Sequence, residues 1–196
     1  MTSTAISGSL DLLSREMRRL HLPEYHRMIE AGVFDEDERV ELLEGVIVSM
    51  SPQNADHALV VERLSDSLFV GLPADFVIRC QLPLALSAAD EPEPDVAVLE
   101  RMTPRSRQAQ PTTARLVFEV SSDSLRRDRE IKAPLYAHAG IPEYVIVNLK
   151  DERLEVHRDP DPSTGRYRKL TTLDKSATFS SSSVAGLRFS IARLLE

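Results

Sequence analysis

The sequence predicts an α/β fold with a mixed sheet, flanking helices and a β-meander toward the C-terminus. Three observations carry this expectation. Runs rich in β-branched residues, Val96-Ala97-Val98-Leu99, Leu116-Val117-Phe118-Glu119-Val120 and Tyr144-Val145-Ile146-Val147-Asn148, are short and apolar enough to be buried strands. The stretch around Leu59, Val60, Leu64 and Leu68 repeats at helical spacing. After Asn148, short runs alternate with the turn signals Asn148-Leu149-Lys150-Asp151 and Asp159-Pro160-Asp161-Pro162 with Gly165.

The elements follow in chain order. Residues 1–22 are expected as an N-terminal extension, partly helical from Leu10 to about Leu20, and residues 23–196 as a single domain. Pro23 suits a first helical turn and Gly32 a stop. In Arg39-Val40-Glu41-Leu42-Leu43-Glu44-Gly45-Val46-Ile47-Val48-Ser49-Met50, the Glu44-Gly45 break reads as a hairpin turn. Asn54 or Asp56 caps a helix through Leu72. Phe76 to Cys80 and Leu82 to Leu86 are two strands or one bent strand. The strand from Asp95 to Leu99 follows a turn-rich approach, and Glu100 to Ala114 is an exposed basic loop. Leu116 to Val120 is a central strand, followed by a polar connection from Ser121 to Arg127 and a helical stretch ending at Gly140. Leu154 to Arg158 and Arg166 to Thr171 form the meander, and a strand near Leu187 to Ser190 precedes a last helical turn.

Composition narrows the function classes. With 196 residues, 42% hydrophobic and 28% charged, the chain has the make-up of an ordinary globular domain. A net charge of -7 argues against a surface that grips nucleic acid by bulk electrostatics, so any such groove must be local. Cys80 is the only cysteine, which excludes an intramolecular disulfide and a cysteine zinc site; its apolar surroundings read as a small core residue. No apolar run is long enough to span a bilayer and no signal-like core opens the chain, so a cytoplasmic protein is the default expectation.

Three phrases carry the chemistry: Pro94-Asp95 opening a strand, Glu119 inside an apolar strand, and Asp128 with Lys132 four positions on. A carboxylate at a buried strand must be paired or must hold a cation. Two acids and a lysine converging on adjacent strands would make a magnesium site with a cationic partner, suited to cutting a phosphodiester. Each residue also has an ordinary explanation. Asp95 alone is a strand-capping turn residue. Glu119 either faces water on one side of the sheet or sits in a polar pocket. Asp128 and Lys132 share a helical face and could be a surface ion pair. Pro134 either starts the helix, with Lys132 just before it, or kinks it.

Together the phrases resemble the PD-(D/E)xK phosphodiesterase superfamily and, within it, the Uma-type branch of restriction-endonuclease-like proteins. The resemblance runs from about Pro23 to Leu195. It includes Tyr25 with Gly32, Glu41-Leu42-Leu43-Glu44-Gly45, Met50-Ser51-Pro52 followed by His57, and Pro92-Glu93-Pro94-Asp95-Val96-Ala97. It continues through Phe118-Glu119-Val120-Ser121, Asp128-Arg129 with Lys132 and Tyr136, and Gly140-Ile141-Pro142-Glu143-Tyr144.

The resemblance implies a restriction-endonuclease-like core, a mixed central β-sheet flanked by helices with an added β-meander. It implies that Asp95 and Glu119 bind Mg2+, with Mn2+ as an alternative, and that Glu41 helps build the site. Glu44 is a weaker match. The superfamily's acid-x-lysine would put lysine at position 121, where this chain has Ser121, so Lys132 is the matching lysine, borne on the next helix. His57 matches a histidine of the first core helix, in an orienting, phosphate-facing or general-acid role. Val145 stands where the branch has tryptophan.

The function this implies is metal-dependent hydrolysis of phosphodiester bonds in DNA by an endonuclease. The alternative is an inactive module of the same fold that binds nucleic acid or protein. Basic residues Arg101, Arg105 and Arg107 in the loop, and Arg126, Arg127 and Arg129 beside Lys132, are candidates for the nucleic-acid backbone. Cutting two strands with one site per chain points to a homodimer, for which the apolar runs near the N-terminus and in the meander are candidate surfaces.

Overall fold

A computed structural model describes residues 16–50, 54–102 and 109–196. Six strands form a central sheet in the order β3-β4-β5-β6-β7-β8: Phe76–Cys80, Val96–Glu100, Leu116–Ser121, Glu143–Asn148, Arg153–Asp161 and Arg166–Asp174. All neighbours are antiparallel except β5 and β6, which run parallel. A parallel pair needs a crossover. Here it is the helical stretch Leu125–Arg127 (α3), Asp128–Lys132 and Ala133–His138 (α4).

Alternation along the strands divides the core in two. Val96, Val98, Leu116, Phe118, Val120, Val145 and Val147 face helix α2 (Ala55–Gly71), through Val60, Leu64 and Leu68. Ala97, Leu99, Val117, Tyr144 and Ile146 face α4 through Ala133 and Tyr136. A sheet covered on both faces has apolar residues at every position. That accounts for the unbroken burial of β5 and β6 and makes the acids within them conspicuous.

Ahead of this core, helix α1 (Leu22–Glu30) packs Tyr25 against Val40 and Leu42 of a small hairpin, β1 (Val40–Leu43) and β2 (Val46–Ser49). Tyr25 also donates its hydroxyl to the Val40 carbonyl, at 3.0 Å. Gly45 turns the hairpin at φ +72°, and a Cβ there would stand 2.7 Å from the Cβ of Arg19. A bridge between Leu42 and Glu91 fastens the hairpin to the segment leading into β4.

Most expected elements are present, with four differences. Leu82 to Leu86 is not a strand: Gln81 turns at φ +52°, and the amides of Leu84 and Leu86 bond to the Pro92 and Asp90 carbonyls within an extended loop. Cys80 is exposed rather than a core residue, because β3 is the sheet edge and Cys80 ends it. Thr178–Ser180 (β9) pairs with Arg188–Ser190 (β10) in a hairpin whose first strand is too short to announce itself. The N-terminal helix expected over Leu10 to Leu20 falls mostly outside the described residues, and Met17 to Leu20 are not helical. Among the described residues no helix is long and apolar enough to cross a membrane.

Candidate active site

The site forms at one end of the sheet. Strands β4 and β5 pair with Val96 opposite Phe118, and continuing that register sets Asp95 opposite Glu119. Because side chains alternate, both carboxylates belong to the face of Ala97 and Val117. Both line one cavity of about 80 Å³, with His57, Asp128 and Lys132 in the same wall. That is space for a few waters.

Lys132 is 2% exposed, and its ammonium lies 2.9 Å from Glu119 Oε1 and 2.9 Å from Glu41 Oε2. Glu41 reaches it from β1, where Val40 and Leu42 face Tyr25 and the intervening residue faces the opposite way. The Tyr136 hydroxyl, one helical turn beyond Lys132, donates to the same Glu119 Oε1 at 2.9 Å. Pro134 lacks the amide that would bond to the Glu130 carbonyl. The chain neither stops nor restarts there. It widens into a π turn over Asp128–Lys132, with the Ala133 amide bonding to the Asp128 carbonyl, and continues into α4. Asp128 and Lys132 are therefore both buried, not a surface pair.

Each remaining acid has its own supports. Asp128 Oδ2 accepts hydrogen bonds from Ser121 Oγ and Ser124 Oγ, both at 2.6 Å. Asp95 Oδ2 accepts from the Val120 amide at 2.8 Å, while Oδ1 lies 3.0 Å from His57 Nε2. Asn54 caps α2 by accepting from the His57 amide at 2.8 Å, which fixes the turn carrying that imidazole.

Charge is out of balance here. Among the described residues four buried acids, Glu41, Asp95, Glu119 and Asp128, gather around one buried lysine, which contacts Glu41 and Glu119. Burial, and the neighbouring Asp128, Asp95 and Glu41 charges, push the Glu119 carboxyl up to about 8, against the pull of Lys132. For Lys132, burial works against the ammonium, but the Glu119 and Glu41 carboxylates outweigh it and hold the amine above its ordinary value. Glu41 Oε1 is buried without a partner among the described residues. Hard oxygen donors around an uncompensated negative cavity suit Mg2+ or Mn2+. Such ions take one or two protein carboxylates and complete their shell with water and phosphate oxygens. Among the described residues no group of three or more His, Cys, Asp or Glu is placed to hold a metal ion.

The residues expected together, Asp95, Glu119, Lys132, Glu41 and His57, do converge. Glu44 does not: it is exposed in the β1–β2 turn. Arg105 and Arg107 lie outside the described residues. Arg101 is committed to the Ala74 carbonyl at 2.7 Å and the Phe76 carbonyl at 3.2 Å. Sequence reasoning gave no role to Tyr136, Ser124 or Arg39. Tyr136 stands four positions after Lys132, and Arg39 two before Glu41, so helical and strand periods respectively were the available signals.

A family model described as "Uma2: Putative restriction endonuclease" matches residues 22–192. No curated protein matches the chain. Among solved structures, the chain resembles the crystal structure of "a putative nuclease belonging to DUF820" from Anabaena variabilis. The TM-score is 0.71 at 14% identity, over 90% of this chain and 97% of that one. At that identity the likeness establishes the architecture.

Proposed function

Because the chain belongs to the Uma2 family, we propose that it is a metal-dependent endonuclease hydrolysing phosphodiester bonds in DNA. The observation that carries this reading is the buried Lys132 ammonium, held between Glu119 and Glu41 at the wall of the cavity that Asp95 also lines. Such an arrangement is expensive to fold and has no evident structural return.

Asp95 and Glu119 are the residues that would hold Mg2+ or Mn2+. Bound there, the ion would polarise the scissile phosphate and lower the pKa of a water. The chain's own groups do the rest. Two of the three Lys132 N–H donors are taken by Glu119 and Glu41; the third is left for the attacking water or a phosphate oxygen, where the ammonium offsets developing charge. Glu41 and Tyr136 keep the Lys132–Glu119 pair in place. His57 Nε2 and the Val120 amide orient the Asp95 carboxylate, which makes His57 a positioning residue rather than a general acid.

The test is nicking of supercoiled plasmid with magnesium or manganese. Wild type should convert it to open-circular or linear forms, and Asp95→Asn and Lys132→Ala should not. One observation favours a binding module of the same fold: among the described residues no group of three or more His, Cys, Asp or Glu is placed to hold a metal ion. If wild type nicks under neither metal, that second reading replaces the first.

A further inference from the structure

Resting on the nuclease reading, we propose that Arg127, seconded by Arg39, grips a backbone phosphate of the nucleic-acid strand as it enters the cleft. Both arginines line the cavity beside Asp95, Glu119 and Lys132. An acidic cavity in a chain of net charge -7 repels a polyanion, so a local cation must offset the repulsion at the point of entry. Lys132 does not offset that repulsion at the entry, because Glu119 and Glu41 flank its charge and it is buried at the reaction end of the cavity.

Nearby arginines are excluded by their partners. Arg126 is tied to Glu130 at 2.9 Å across one helical turn. Arg129 is forked onto Glu155, with its Nε 2.8 Å from Oε2. Arg127 differs. Its Nη1 donates to the Ser49 carbonyl at 3.2 Å, no carboxylate pairs with it among the described residues, and its Nε is buried with no acceptor. A buried charged donor without an acceptor is costly and calls for an explanation. Arg127 lines the cavity, where two oxygens of a phosphate would match the fork of its guanidinium. Arg39 lines the same cavity but is paired with Glu93 Oε2 at 3.3 Å, so its part is secondary to that of Arg127.

The experiment measures binding of a labelled duplex oligonucleotide by fluorescence anisotropy across a salt series, with calcium in place of magnesium. Wild type is compared with Arg127→Ala, Arg127→Lys and the control Arg126→Ala, and the melting temperature of each is recorded. Arg127→Ala should bind about tenfold or more weakly, as for a lost charged hydrogen bond. Its salt slope should fall by about 0.9, the loss of one phosphate contact. Arg127→Lys should keep the slope and lose part of the affinity, and Arg126→Ala should match wild type. If Arg127→Ala does not fold, Arg127→Lys decides: affinity equal to wild type overturns the proposal. It is also overturned if Arg127→Ala binds like wild type, if Arg126→Ala loses as much, or if wild type does not bind. Wild type that binds through Arg127 yet never nicks plasmid would refute the nuclease reading and leave the clamp standing. Wild type that nicks while Arg127→Ala binds normally would do the reverse.

Discussion

At the scale of single residues, Lys132 is the point where folding and chemistry meet. Its ammonium sits between Glu41 and Glu119, so removing it leaves two buried acids without their cationic partner. Breaking a buried pair by deleting one partner costs about 3–5 kcal/mol, and Lys132→Ala should lose stability of that order in denaturant titrations. Adding Glu41→Gln should recover part of the loss, because one of the stranded charges is then gone. An unchanged denaturation midpoint in Lys132→Ala would mean that the ammonium is not buried as described. Asp95→Asn should behave oppositely. It removes a charge that repels Glu119, so it should melt above wild type without metal yet respond less when magnesium or manganese is added.

Among the elements, the π turn at Asp128–Lys132 decides the register of the site. It lets one helical stretch pass Pro134 while Asp128 meets Ser121 and Ser124, and Lys132 meets Glu119. Deleting Ile131 should restore ordinary α spacing and turn one of the two residues away by about 100°, the rotation per residue of an α-helix. Loss of plasmid nicking with a lower melting temperature is the expected result, and an active deletion variant would show that the wide turn is dispensable. On β7, His157 sits 5.5 Å from the Tyr144 ring and 5.7 Å from the Tyr167 ring, with Nε2 buried and without a partner among the described residues. Burial lowers its pKa from 6.5 to about 4. Between those values the unfolded chain binds the proton and the native chain does not, so stability falls as pH drops through this window. His157→Phe should flatten melting temperature against pH across that range; an identical acid limb in the variant would rule His157 out as the cause.

For the whole molecule, the balance of charge predicts a linkage. A cation that binds only the native state stabilises it by roughly 2.7 kcal/mol at a hundredfold excess over Kd, so magnesium or manganese should raise the melting temperature of wild type. Calorimetric scans showing no shift with either metal would remove the metal site from the proposal. With one candidate active site among the described residues and two strands per duplex, we propose a homodimer as the assembly. A monomer by light scattering that still makes double-strand breaks would count against it.

The strand and helix order is legible in the amino-acid pattern, because buried runs such as Leu116 to Val120 and the Asn54-capped helix announce themselves through local period and capping. The pattern also determined which acids were suspect, since Glu119 has apolar neighbours on both sides along the chain. It did not determine where Leu82 to Leu86, Cys80 or the Thr178–Ser180 strand would lie, because edge position and short pairings depend on distant partners. Nor could it choose between a helix that starts at Pro134 and one that kinks there. Folding in three dimensions makes Glu119 face a pocket, shares Lys132 with Glu41 from a separate hairpin, and spends Arg126 and Arg129 on Glu130 and Glu155 but leaves Arg127 without a carboxylate among the described residues. Local pattern reports which residues can be buried; which charges meet is settled when the hairpin, the sheet end and the crossover helix close on one another, because desolvated carboxylates and ammonium groups must find partners across the chain.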